Sequence, residues 1–364
     1  MKDASSHIIL NKYTRIKQEY FKEIILPILG DVITKIEPIK KTYFIAGKNI
    51  CLLFYSKILF EKMHKALIHN EKDFDDTPDL TICIWDSIST HTPLILPWIN
   101  SLLYTYPQEV NTKTTNTDSF LGVYLNGEET LNLYDEKNNT AYFWINNADD
   151  LPFWVIAAPL RPIFNWFFSK NNTHLIHGAV VGLNGKSVLL TAKGGSGKST
   201  TSLACLYAGM DYLGDDYVTI ESGNTIMSHS LYNSLKVFPQ SLDKFSGLRE
   251  KVWNKNNIDT ENEKAIIFLS ESFSKQITRT ASLDAILIPV IKNTPKTKIV
   301  KASKLETMLA MIPTTLFQLS LTKSDKMVEL KSIIEKTPCY FLELGYDLNE
   351  IPEVIKSFLS YEQQ

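Results

Sequence analysis

Apolar positions recur in two rhythms along the chain. From Arg15 to Leu29 they fall at roughly helical spacing, whereas Tyr43–Tyr55 and Leu80–Trp85 carry denser, strand-like runs. The first 120 residues therefore predict a mixed α/β unit. Polar NTKTTNTDS at 111–119 has the composition of a loop. It sets the expected boundary near residue 120, with an amino-terminal unit of 1–120 and a second unit of 121–364; a boundary near 170 is the alternative. Val123–Ile145 predicts hairpin strands turning at Asn126-Gly127 and at Lys137-Asn138-Asn139. The longest apolar stretch, Leu151–Phe168, is broken by Pro152, Pro159, Arg161, Pro162 and Asn165, which rules out a membrane span. Its aromatic residues instead predict a helix packed between the two units.

Beyond residue 170 the pattern becomes strand, glycine loop, helix. VLLT reads as a strand, Thr200–Ala208 as a helix, and TAKGGSGKST at 191–200 lies between them. Gly194, Gly195 and Gly197 allow φ > 0, so successive backbone N–H groups can point inward and form an anion nest at a helix start. Lys193, Gly194, Gly195, Ser196, Gly197, Lys198, Ser199 and Thr200 are thus candidate nucleotide-binding residues. Lys198 would reach the β- and γ-phosphates, and the Ser199 hydroxyl would take one Mg²⁺ position. The first glycine of the usual loop pattern is replaced by Ala192, which is small enough to serve. A chance glycine cluster is the plain alternative.

The acidic pair Asp215-Asp216 follows closely. A helix from Lys198 to Ala208 rises roughly 16 Å, Gly209 suits the left-handed position that ends it, and a short strand through Tyr212 and Leu213 covers much of the return. Both acids are therefore expected beside the loop. Two carboxylates next to a triphosphate have two jobs: Asp215 is assigned to Mg²⁺ and Asp216 to taking the proton of an attacking hydroxyl, an assignment that can also be reversed. Gly-Asp-Asp also suits an ordinary turn. So compact a layout favours a kinase over a motor ATPase. Upstream, His174-Leu-Ile-His177-Gly178 reads as a hairpin that brings His177 to the sheet edge near the nucleotide, with a satisfied structural side chain as the plain alternative. Downstream, Tyr217–Glu221 and Thr225–Ser230 predict an antiparallel pair, and Lys236, Lys264 and Arg279 are candidates for neutralising phosphate, with Lys236 foremost. A solvated surface charge is the plain alternative for each. Polar Arg249–Lys264 predicts a loop that folds over substrate or merely links strands.

The stretch HGAVVGLNGKSVLLTAKGGSGKSTTSLACLYAGMDYLGDDYVTI resembles the catalytic core of bacterial HPr kinase/phosphorylase, with its histidine-glycine pair, phosphate loop and acidic pair. LYNSLKV at 231–237, PCYFLELGYDLNEIPEVI at 338–355, and LYDEKNNTAYFWI and LPFWVIAAPLRPIF further upstream are more similar to the HPr-kinase-related proteins encoded with lasso-peptide biosynthesis genes. The resemblance is specific over about residues 131–237, weaker to 358 and faint before 120. It implies an α/β fold with a phosphoenolpyruvate-carboxykinase/HPr-kinase-like P-loop core, and ATP-dependent phosphorylation of a serine-type hydroxyl. It also implies catalytic roles for His177, Lys198, Asp215 and Asp216, with His177 supporting the acidic pair. The carboxy-terminal signature of true HPr kinases has no good match here. A homo-oligomer is left open, since the kinases resembled are hexameric.

Composition narrows the setting. With 364 residues, 44% of them hydrophobic, the chain can build two cores. A net charge of −2 makes no electrostatic case for nucleic acid or an anionic membrane. Cys51, Cys83, Cys205 and Cys339 show neither metal-knuckle nor disulfide spacing, and the amino terminus carries no apolar targeting core, so a reducing, cytoplasmic setting is expected. The sequence thus predicts a Mg²⁺-ATP-dependent kinase for a serine-type hydroxyl on a peptide. A kinase for a free, serine-like small molecule and a non-catalytic ATP-gated binding module are the alternatives.

Overall fold

Alternating apolar residues and tight turns build the chain into two mixed sheets joined by a pair of short helices. The computed structural model describes residues 13–15, 21–94, 119–258, 263–292, 294–319 and 326–360. Most of the polar 111–119 segment, part of the expected Arg15–Leu29 helix and positions 259–262 of the 249–264 segment lie outside them.

The first sheet comprises β1 (Tyr13–Arg15), β2 (Ile39–Ile45), β3 (Lys48–Phe54), β4 (Leu80–Asp86), β5 (Phe120–Leu125), β6 (Thr130–Asp135) and β7 (Thr140–Ile145), ordered β1-β5-β6-β7-β4-β3-β2. Tyr43–Tyr55 is a hairpin, not one strand. Ala46 and Gly47 both take positive φ, 48° and 74°, as a two-residue turn between right-twisted strands requires. In the amino-terminal part, π-helical Phe21–Ile25 leads into α1 (Leu26–Lys35), and α2 (Lys57–Leu67) connects β3 to β4. Ser56 caps α2 by accepting from the Leu59 N–H at 3.3 Å. The expected boundary near 120 is corrected here: β5 pairs with β1 and β7 pairs in parallel with β4, so residues 120–145 belong to the amino-terminal sheet.

The connection is α3 (Phe153–Ala157) and α4 (Arg161–Ser169), two helices where the sequence predicted one. The break is local: Pro159 lacks an N–H, and Leu160 sits at φ 59°. Phe164, Phe167 and Phe168 of α4 are buried in a cluster that takes Tyr43 and Leu67 from the first unit and Leu175, Tyr217 and Tyr232 from the second. Burial of side chains this size contributes on the order of 2 kcal/mol each, so the helices bind the two sheets together. No helix among the described residues is long and apolar enough to cross a membrane.

The second sheet contains β8 (Thr173–His177), β9 (Ala179–Leu183), β10 (Lys186–Leu190), β11 (Asp211–Gly214), β12 (Tyr217–Glu221) and β13 (Met227–His229). A separate hairpin, β14 (Ser234–Val237) and β15 (Ala265–Phe268), stands beside it, and β16 (Thr280–Ile291), β17 (Lys298–Lys301) and β18 (Cys339–Leu344) complete the sheet. Its helices are α5 (Lys198–Tyr207), α6 (Lys304–Gln318), α7 (Lys326–Lys336) and α8 (Glu350–Ser360). The main path runs β11-β9-β10-β16-β13-β12-β8, with β18 parallel to β16 on a branch. Consecutive chain twice joins an end strand of this path to the strand one in from the other end, at His177-Gly178 between β8 and β9 and at Asp215-Asp216 between β11 and β12. The two crossings touch: the Gly178 N–H donates to the Asp216 carbonyl at 3.2 Å.

Candidate functional site

The loop after β10 owes its shape to glycine. Gly195 and Gly197 take φ of 78° and 97°, and a side chain on Gly197 would place its Cβ 2.8 Å from Leu344 Cδ1. Only glycine satisfies both the angle and the space. α5 starts directly behind it, so its first N–H groups and the positive end of its dipole face the loop. Lys193, Gly194 and Gly195 are exposed, Ser196, Gly197, Ser199 and Thr200 are half-buried, and Lys198 is buried. The Lys198 Nζ donates to the carbonyls of Ala192 at 2.6 Å and Lys193 at 3.2 Å. Burial depresses its pKa, against the pull of Asp215 and Asp216.

Gly178 explains why a glycine follows the histidine. A Cβ there would lie 2.8 Å from the Leu190 carbonyl oxygen, so the β8–β9 crossing can press against the end of the loop strand only without a side chain. His177 therefore lands beside the acids. Its Nε2 lies 3.4 Å from Asp216 Oδ1, while its backbone N–H donates to Thr315 Oγ1 on α6 at 3.3 Å.

The two acids differ sharply. Asp215 is 2% exposed, its Oδ2 has no hydrogen-bond partner, and the Ser199 hydroxyl donates to its carboxylate. Burial and then the neighbouring Asp216 charge push its pKa up. Asp216, held at φ 73°, forms an ion pair with Lys236 of β14 and meets the His177 ring through its Nε2. Burial opposes its ionisation, but Lys236 and His177 hold it well below the usual carboxylate range. Burial likewise opposes the charge of Lys236, and Asp216 overcomes it. The site thus holds one carboxylate–ammonium pair and one carboxylate in want of a cation.

That want fits Mg²⁺. Among the described residues no three His, Cys, Asp or Glu side chains gather into a metal cage. Mg²⁺ needs none, since it commonly takes one or two protein ligands together with phosphate oxygens and water. Ser199 and Asp215 supply a hydroxyl and a carboxylate in mutual contact, and the Ser196 and Thr201 hydroxyls are also buried without partners.

Lys264 precedes β15, and its Nζ lies 4.8 Å from the Phe238 ring centroid, near enough to Lys198 and Asp215 to act on their ionisation. Arg279 is elsewhere, donating to the His69 carbonyl at 2.9 Å. In the described part of the 249–264 segment the Trp253 N–H is bonded to the Ile266 carbonyl at 2.8 Å and Val252 is buried. A cavity of about 560 Å³ lies at the far end of α5, lined by Tyr207, Lys244, Leu348 and Glu353, away from the loop.

Sequence reasoning missed the groups behind the site. Arg161 donates to the Tyr217 hydroxyl at 3.0 Å and to Glu128 Oε1 at 2.8 Å, and the Tyr217 ring centroid stands 5.9 Å from that of His177. Glu128 belongs to the amino-terminal sheet's β5–β6 turn, so a buried ion pair crosses from that sheet to the back of the site. A second set of contacts braces Lys236. The Asn233 N–H donates to the Ala66 carbonyl at 2.9 Å, His69 Nε2 meets Ser230 Oγ at 2.8 Å, and the Tyr232 hydroxyl donates to the Pro159 carbonyl at 2.6 Å. The only local signals were an arginine and a glutamate in otherwise apolar or turn segments.

No protein-family model matches the chain, and no curated protein matches it. Among solved structures it is similar to the HPr(Ser) kinase/phosphatase from Coxiella burnetii, at 12% identity and a TM-score of 0.29, over 51% of this chain and 95% of that one. A likeness so distant leaves the chemistry to be read from this chain's own residues.

Proposed function

We propose that the protein is a Mg²⁺-ATP-dependent phosphotransferase that phosphorylates a serine-type hydroxyl, with its nucleotide site in the unit beyond the connecting helices. The observation that carries this reading is the difference between the two acids: Asp215 is buried, contacted by Ser199 and short of a cation, while Asp216 is charged and clamped by His177 and Lys236. Phosphate binding alone requires neither acid.

In this reading the glycine loop and Lys198 hold the triphosphate, Lys198 exchanging its carbonyl partners for phosphate oxygens. Ser199 and Asp215 would hold Mg²⁺, which when bound neutralises charge on the β- and γ-phosphates. Asp216 accepts the proton of the attacking hydroxyl, and His177 keeps its carboxylate turned toward that hydroxyl. Lys236 moves between Asp216 and the transferred phosphoryl group, drawing charge from it as the bond to the leaving oxygen lengthens. Lys264 adds positive charge at the rim.

The acceptor we propose is a serine on a peptide, on the resemblance to the lasso-associated kinases. Four buried free cysteines suit a reducing cytoplasm. Transfer from γ-labelled ATP to a panel of serine peptides, free serine and related alcohols tests the reading. The expected result is labelling of a peptide hydroxyl that is lost in Asp215→Asn and Asp216→Asn. Labelling of free serine alone would move the acceptor to a small molecule, and ATP bound without consumption by any acceptor would make the protein a nucleotide-gated binding module.

A further inference from the structure

The carboxyl ends of parallel strands are where open α/β sheets bind ligands. Three such ends lie together here. β10 ends in the glycine loop, β16 runs parallel beside it and ends at Ile291, and β18 runs parallel beside β16 and ends at Leu344. Ile291 and Leu344 are register partners, so their side chains share a face of the sheet. That face is turned to the loop: a Cβ on Gly197 would stand 2.8 Å from Leu344 Cδ1 and 4.0 Å from Ile291 Cγ1.

The two sides of the loop differ in chemistry. Asp215, Asp216 and His177 gather at the crossings beside Gly178, which packs against the Leu190 end of β10, and Lys236 joins them through Asp216. On the β16–β18 side the surface is apolar and open: Ile291 is 63% exposed and Tyr346, two residues past Leu344, is 66% exposed. Tyr346 lies within about 7 Å of Leu344 by chain length alone. Gly345 fixes the turn between them, because a Cβ there would come within 2.8 Å of the Lys296 backbone carbon, and its N–H donates to Thr297 Oγ1 at 3.1 Å. The turn that carries Tyr346 is thereby tied to the 295–297 segment.

We infer that Ile291 and Tyr346 form the platform for the nucleoside of the bound nucleotide. The inference rests on the phosphate-loop reading above and extends it to the base. With the terminal phosphoryl group drawn to the acids on one side, the triphosphate leaves the loop on the other, and a purine's flat faces match a branched alkyl side chain and a phenol ring that stand exposed among the described residues. Ile291 and Tyr346 contact the base only through its faces, so adenine and guanine are accepted alike.

Calorimetric titration of the full chain with Mg²⁺ and either a non-hydrolysable ATP analogue or inorganic tripolyphosphate separates the two halves of the ligand. Tyr346→Ala and Ile291→Ser are expected to weaken the ATP analogue roughly tenfold each and to leave tripolyphosphate unchanged, with Tyr346→Phe behaving as the parent. Both side chains are exposed, so the fold survives; unchanged melting temperatures check this. Equal weakening of both ligands, or unchanged affinity for the ATP analogue while the parent binds tripolyphosphate, overturns the platform and leaves the phosphate loop standing. A parent that binds neither ligand overturns both. A shift of the variants from oligomer to monomer with nucleotide affinity intact would assign the patch to a second copy of the chain, and overturns the inference too.

Discussion

The two sheets differ in where their unpaired buried polar atoms fall. In the amino-terminal sheet Asp86 is buried but fully used: it accepts from the Ser89 N–H at 2.8 Å and the Ser89 hydroxyl at 2.5 Å, and Trp144 Nε1 donates to Ser87 Oγ at 2.9 Å. Around the phosphate loop the buried Asp215 Oδ2, His177 Nδ1, Ser196 Oγ, Thr191 Oγ1 and Thr201 Oγ1 have no partner among the described residues. An unsatisfied buried polar atom costs about 1–3 kcal/mol, so a fold retains such a cluster only at a place where something else completes it. In the first sheet such atoms, Trp85 Nε1 and Asn132 Oδ1, stand singly on separate strands. In the second they gather around one loop, which is where the proposed reading puts a ligand.

Breaking that contrast at Asp215 should give the largest effect. Asp215→Asn is expected to lower phosphoryl transfer by roughly a thousandfold or more, yet to raise the melting temperature, because it removes a desolvated carboxylate whose charge the fold disfavours. Initial rates and a thermal melt on one preparation check both halves, and a lowered melting temperature contradicts them. The reverse applies to Glu128 in the amino-terminal sheet. Glu128→Gln leaves the Arg161 charge buried without its carboxylate and should cost about 3–5 kcal/mol in denaturant unfolding. A Glu128→Leu, Arg161→Met double variant should recover most of that stability while transfer stays low, since Tyr217 has lost its guanidinium. Recovery of full activity would reduce Arg161 to a structural part.

Two pH dependences sharpen the comparison further. Asp215 must be ionised to hold Mg²⁺, and its pKa is raised. Mg²⁺-dependent nucleotide affinity should therefore fall with acidification before ordinary carboxylates protonate, and Asp215→Asn should flatten the profile in a binding titration. His69, at the contact between the two units, has its pKa pushed down to about 3 by burial, with Arg279 adding to the effect. The unfolded chain takes up that proton near pH 6.5 and the folded one does not, so stability falls as pH drops below about 6.5, by at most about 1.4 kcal/mol per pH unit. His69→Gln should remove this slope from denaturant midpoints, and an unaltered slope would contradict the assignment.

The pattern of glycines, Lys198 and the acidic pair made the loop readable from sequence because φ > 0 and anion binding are local demands. The return of Asp215 and Asp216 was also local arithmetic, one helix and one strand. The first-sheet membership of residues 120–145 was not readable, because it depends on β4 pairing with β7 across a long stretch of chain. Arg161 was invisible for the same reason: in sequence it is a charge that interrupts an apolar run, and only the fold brings Glu128 and Tyr217 to it. Lys236 was readable as a candidate, but its partner Asp216 emerges only when the second sheet lays the β8–β9 and β11–β12 crossings side by side.

The central claim is that the loop and both acids meet at the terminal phosphoryl group of a bound triphosphate. A crystal structure with Mg²⁺ and a non-hydrolysable ATP analogue tests it most directly. The account predicts the metal on Ser199 Oγ and next to Asp215, with the γ-phosphate facing Asp216 and Lys236. A nucleotide seated elsewhere, or a metal on Ser199 with both carboxylates turned away from it, would contradict the account.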